Sequence, residues 1–272
     1  YLSERLGEVP VFILCLARPE FNEAVPEWEG ALKRHRVVEL QPLSEAVCQS
    51  LVRHLLRHTE SLPDALVNQV AQRADGNPFY VEEIIRDLVD RNIIRIDADD
   101  LWRLVGESAH LEVPATVEGV LQARLDRLSP PARELLHRAA VVGRIFWRGS
   151  LIALGATADE ALDEHLAELE RRELVFRRRD SAIAGEVEYI FKQKLVRDVA
   201  YANILKRQRV AYHREVARWL EAHRGGRWDD ALLGYHYAHG EAPQEAVNAL
   251  LRAGDVAAGY QALGEALADL DF

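Results

Sequence analysis

Few residues in this chain are spaced for chemistry. No Gly is followed by Lys, so there is no GxxxxGK[ST] phosphate loop, and GxGxxG, GxSxG and CxxC do not occur either. Such loops need glycine where the backbone closes on a phosphate or turns sharply. His54 and His58 stand four apart and share a helix face. Two imidazoles there could start a zinc site, but zinc takes three or four ligands and no neighbour supplies them. A solvated helix face is the expectation, as it is for His236 and His239 beside Tyr235 and Tyr237. Glu82-Glu83 fall early in a helix, where carboxylates complement the dipole. Arg18 differs. It ends the apolar run Val11 to Ala17, which reads as a central parallel strand. Ligands of open α/β sheets bind beyond the carboxyl ends of such strands, where an arginine reaches phosphate by charge-assisted hydrogen bonds. The alternative is an arginine paired with a surface carboxylate.

The elements that would position these residues follow from the spacing of apolar positions and punctuators. A second short strand, Val37 to Leu40, follows the first after about a crossover length. From Ser44 the period becomes helical: Val47, Cys48, Leu51, Val52, Leu55 and Leu56 form one stripe. A helix over 64–74 ends at Asp75-Gly76. Asn77 then caps a helix that has Pro78 at its first position. Residues 93–104 read as a hairpin. Pro114 opens one helix, Ser129-Pro130 another, and the Thr157-x-x-Glu160 capping box a third that buries Leu162, Leu166 and Leu169. A second hairpin flanks 180–185, and three helices followed by a hairpin is the winged-helix order. The remainder reads as helices over about 199–222, 228–239, 243–253 and 256–270, in pairs of tetratricopeptide-like length. The expected class is therefore mainly α (α+β). It has the end of an α/β core at 1–42, a helical segment with a hairpin at 43–128, a winged helix at 129–198 and helical pairs at 199–272.

Composition narrows the setting. The chain has 272 residues and a formal net charge of −10, which argues against a surface built for nucleic acid or an anionic membrane. With two cysteines, Cys15 and Cys48, a disulfide framework is excluded and a reducing, cytoplasmic compartment is expected. No apolar run is long enough to cross a bilayer. A chain that begins with Tyr and holds no Met reads as a piece of a longer polypeptide. Residues 192–224 are strongly basic and 225–272 strongly acidic, which places a boundary at Gly225-Gly226.

Three segments carry a resemblance. Val11 to Pro19 resembles the sensor strand of signal-transduction (STAND) ATPases, an AAA-related class. Gly76-Asn77-Pro78-Phe79, followed by Tyr80-Val81-Glu82-Glu83, resembles their Gly-x-Pro motif. Phe191 to Tyr201 resembles a segment after their winged helix. The likeness is greatest to modules fused to bacterial class III adenylyl or guanylyl cyclases, with LuxR-type regulators near behind. The resemblance implies that residues 43–128 are a helical lid, that Arg18 senses the γ-phosphate of ATP and that Pro78, beside Gly76, packs on adenine. Gln193 stands where the family often has histidine. The phosphate loop and the acidic magnesium strand, which bind ATP or ADP with Mg, are expected upstream in the same polypeptide. The chain alone is then expected to hydrolyse no ATP. The upstream ATPase core and output domain would be its partners, with a protein or inducer on the C-terminal helices and oligomerisation left open.

Two other readings use the same residues. Arg171 to Arg179 holds five arginines against one acid and could form a DNA-contacting wing. Against specific recognition, the preceding helix opens with Asp159, Glu160, Asp163 and Glu164 and no base-reading arginine. No specific nucleic-acid partner is therefore expected. The second alternative is a helical-repeat scaffold with an inactive nucleotide site.

Overall fold

The computed structural model describes residues 12–17, 21, 36–59, 62–96, 102–105, 114–156, 160–223 and 230–255. The chain divides into two compact units, Tyr1–Pro42 and Leu43–Phe272. In the first unit the expected strands are not formed among the described residues: 12–17 and 36–42 have no ladder partner, and Phe12, Leu16 and Leu40 are exposed. A strand is a paired element, and its backbone donors and acceptors need a neighbour that these residues do not offer one another. Arg18 lies outside the described residues.

The second unit is mainly helical with two small antiparallel sheets. It opens with α1 (Glu45–Leu55), α2 (Asp64–Ala74) and α3 (Pro78–Asp90), then β1 (Ile94–Ile96) paired to β2 (Trp102–Leu104). Ser44 caps α1 by accepting the Val47 N–H. The apolar stripes of these helices close a first core around Val52, Leu56, Leu66, Val70, Ile84 and Leu88.

The helix α4 (Val117–Asp126) starts three residues later than Pro114 suggests, because Thr116 caps it by accepting the Gly119 N–H at 3.1 Å. It serves two cores, with Val120 in the first and Leu121 and Leu125 in a second. The second core runs on through α5 (Pro130–Val142), β3 (Ile145–Trp147), α6 (Arg148–Ala153), α7 (Glu160–Arg171), β4 (Val175–Arg177) and β5 (Glu188–Phe191). The strands form one antiparallel sheet in the order β3-β5-β4. The strand β3 and the helix α6 have no counterpart in the sequence reading. Thr157, expected to cap α7, lies outside the described residues.

The helix expected over 199–222 is two: α8 (Lys194–Ala202) and α9 (Lys206–Ala222). Between them Ile204 is buried while Leu205 is exposed, so the chain turns around a core contact with neither Gly nor Pro. Trp219 of α9 stacks on Trp147 of β3 at 5.6 Å between ring centres. The helix α10 (Asp230–His239) lies along α9, and a final described helix, α11, covers 243–255. Gly234 lets α10 and α11 approach closely: a Cβ there would stand 2.7 Å from Leu250 Cγ. Among the described residues no helix is long and apolar enough to cross a membrane.

Candidate functional site

The Gly76-Asn77-Pro78 turn is built by local chemistry. Asp75 ends α2 in the left-handed region (φ 45°), and Gly76 follows at φ 77°. The Gly76 carbonyl accepts the Leu43 N–H at 2.9 Å, which ties the turn to the start of the unit. The Asn77 side chain accepts the N–H groups of Phe79 (3.0 Å) and Tyr80 (3.3 Å), and Pro78 occupies the first position of α3. Gly76 is buried and Pro78 is exposed. Phe79 packs against the second core, and the Tyr80 hydroxyl donates to the Pro114 carbonyl at 2.5 Å. The turn thus presents one apolar ring to solvent on a braced helix end.

From that end α3 runs into a network of charges. Glu83 is buried rather than dipole-facing, because α3 starts at Pro78 and its first turn carries no acid. Glu83 pairs with Arg86 of its own helix (2.9 Å) and with Arg124 of α4. Arg124 is itself buried. It also donates to Asp90 (2.9 Å) and to the Arg172 carbonyl (2.8 Å), beyond the end of α7. Asp87, buried too, takes Arg127 at 2.5 Å and Arg91 at 3.5 Å. Arg172 reaches Asp90 (3.5 Å) and Glu168 (3.8 Å). Burial pushes Glu168 up, but two hydrogen bonds from Ser129 and the Arg172 charge overcome it and hold the carboxyl low.

Glu173 closes the network. It bonds Lys192 at 2.5 Å and pairs with Arg86 at 3.1 Å; the Lys192 hydrogen bond, then the charges of Arg86 and Lys192, hold its carboxyl below the usual range against burial. Its backbone is left-handed, with φ 54°, where glycine is the usual residue. Between α3, β2 and the end of α7 lies a cleft of about 310 Å³, walled by Ile85, Val89 and Trp102 and edged by Arg171.

The sequence-predicted residues fare differently. Gly76 and Pro78 share the turn. Gln193 begins α8 as its cap residue, but its side chain makes no capping hydrogen bond and is exposed. Its neighbour Lys192 is what touches the network, through Glu173 and through its backbone N–H to the Leu174 carbonyl at 3.0 Å. The arginines of 171–179 are dispersed rather than gathered. Arg172 is in the network and Arg178 pairs with the buried Glu188, while Arg177 and Arg179 are exposed. Asp163, at the start of α7, is held by both prongs of Arg148 (2.8 and 3.1 Å), which keeps its carboxyl low.

His54 and His58 are exposed, and no group of side chains among the described residues could hold a metal. His236 overturns its expectation: it is fully buried and hydrogen-bonded to His213, while His239 is exposed as expected. The sign of burial was the apolar face of α10, where His236 lies three residues after Leu233.

Residues 44–101, from the start of α1 to just before β2, match the domain of unknown function DUF8739. Over 268 residues the chain is 27% identical to an uncharacterized protein of Rhizobium meliloti (strain 1021). That match takes in 96% of this chain but 24% of the relative, so the chain spans about a quarter of the length of the curated protein it resembles.

Proposed function

We propose that this chain is the nucleotide-sensing and interaction portion of a STAND-type ATPase, coupling ATP/ADP state to a signalling output such as a nucleotide cyclase. The observation that carries the reading is the course of α3. One end exposes Pro78 on a capped, braced turn. The other end is bound through Glu83, Asp87 and Asp90 to α4 and to the segment after α7. A nucleotide ring docked on Pro78 would thereby act on the β3-β5-β4 unit through one helix. The order α5, β3, α6, α7, β4, β5 supports reading that unit as a winged helix. The engagement of Arg172 and Arg178 and the acidic start of α7 weigh against DNA reading as its task. The ATP/ADP-Mg site, the phosphate loop and Arg18 belong to the α/β core of the same polypeptide in this reading.

The test is nucleotide affinity in the full-length polypeptide. A charge-assisted hydrogen bond contributes about 1.5–3 kcal/mol, so Arg18→Ala is expected to weaken ATP by roughly 10- to 100-fold and ADP far less. Equal loss for both nucleotides would make Arg18 structural and remove the sensing role.

A further inference from the structure

Where α9 and α10 meet the end of α5, three polar contacts form one chain. Tyr201 Oη of α8 is 2.9 Å from His213 Nε2 of α9. His213 Nδ1 is 2.9 Å from His236 Nδ1 of α10. His236 Nε2 is 3.1 Å from the carbonyl oxygen of Val142, the last residue of α5. Both imidazoles are buried, at 1% and 0% exposure.

The direction of the chain follows from what each atom can do. A carbonyl only accepts, so His236 Nε2 carries the proton. The Nδ1 of that neutral ring is then bare and accepts from His213 Nδ1–H. His213 Nε2 is bare in turn and accepts the Tyr201 hydroxyl. Every donor and acceptor is used once.

The groups facing the pair leave a proton little to meet. They are Tyr201 and Arg197 of α8, Arg209 of α9, and Tyr235 and His239 of α10, with the Val142 carbonyl from α5. Among the described residues no carboxylate is one of them. A proton on His213 alone keeps both contacts, because Tyr201 Oη can accept, but it buries a cation near Arg197 and Arg209. Protons on both rings set Nδ1–H against Nδ1–H at 2.9 Å, and the rings must part.

We propose that the Tyr201–His213–His236–Val142 chain is a proton-operated clasp. It holds the α9–α10 pair on α5 while both imidazoles are neutral, and releases it when they are protonated. The clasp stands apart from the nucleotide reading and survives its failure. Burial, with the neighbouring histidines and arginines adding to it, pushes both rings from 6.5 down to about 3. The docked state therefore binds fewer protons than the released one. Acid favours release, in a window that opens below pH 6.5 and extends to about 3. Lowering the pH from about 7.5 to about 5.5 raises the release constant roughly 10-fold per histidine and roughly 100-fold for the pair.

Side-chain 15N NMR of the 272-residue chain tests the directions. The expected tautomers near neutrality are Nδ1–H for His213 and Nε2–H for His236. Hydrogen exchange of α9 and α10 amides, corrected for intrinsic rates, tests the release. Protection should fall roughly 100-fold between about pH 7.5 and about 5.5, and His213→Gln/His236→Gln should flatten that response. Either ring charged at pH 6.5 with α9 and α10 still protected would overturn the clasp, as would an undiminished response in the double variant. Should the double variant fail to fold, the tautomers and exchange of the unmodified chain decide.

Discussion

Glu173 is where a single side chain is asked to do two conflicting things. Its left-handed backbone costs of order 1 kcal/mol for any residue with a Cβ, while its carboxylate holds Arg86 and Lys192. Glu173→Gly relieves the first as it loses the second, so its net effect on stability should be under about 0.5 kcal/mol. Glu173→Ala loses the pairs and keeps the strain, and should destabilise by about 1 kcal/mol. Urea midpoints of the two variants and the parent check this; an alanine variant as stable as the glycine one would mean that the left-handed backbone carries no strain, and one as stable as the parent would mean that the carboxylate contributes nothing. At this scale the sequence was partly legible. Asn77 as cap and Pro78 at the first helical position depend on neighbours within three residues, and both were readable. The burial of Glu83 and of His236 depends on Arg124 and His213, 41 and 23 residues away, and no local spacing announces such partners.

At the scale of elements, Arg124 is the tie between α3, α4 and the end of α7. A buried ion pair adds little net stability, but removing one partner strands the other charge in the interior. Arg124→Met should therefore cost about 3–5 kcal/mol, because Glu83 and Asp90 lose their shared cation. Adding Glu83→Gln should recover part of that loss, which a double-mutant cycle on thermal or urea unfolding measures. Additive costs would mean that the two side chains do not share one interaction. The hairpins β1–β2 and β4–β5 were legible because their strands lie close together in sequence. The three-residue β3 was not: it pairs with β5 more than 40 residues on, and three residues are too few for an alternation to register. The break between α8 and α9 was hidden for a different reason, since the buried Ile204 bends the chain without a glycine or proline.

For the whole molecule, the two cores share α4, which ends at Asp126, just before the boundary expected after residue 128. The second expected boundary, at residue 198, falls inside α8. Leu43–Phe272 is one compact unit, in which a push on α3 has packed side chains and ion pairs to act through. Among the described residues of 1–42 the expected core strands show no ladder; a parallel strand is defined by neighbours that its own residues cannot supply. Nucleotide state is proposed to reach the network through α3. Hydrogen exchange of the full-length polypeptide, saturated with ATP or with ADP, tests it most directly. Protection along Pro78–Asp90 and in the segment from Arg171 to Leu174 is expected to differ between the two states, and Arg124→Met to abolish the difference at 171–174. Identical protection in both segments, with both nucleotides bound, would contradict it.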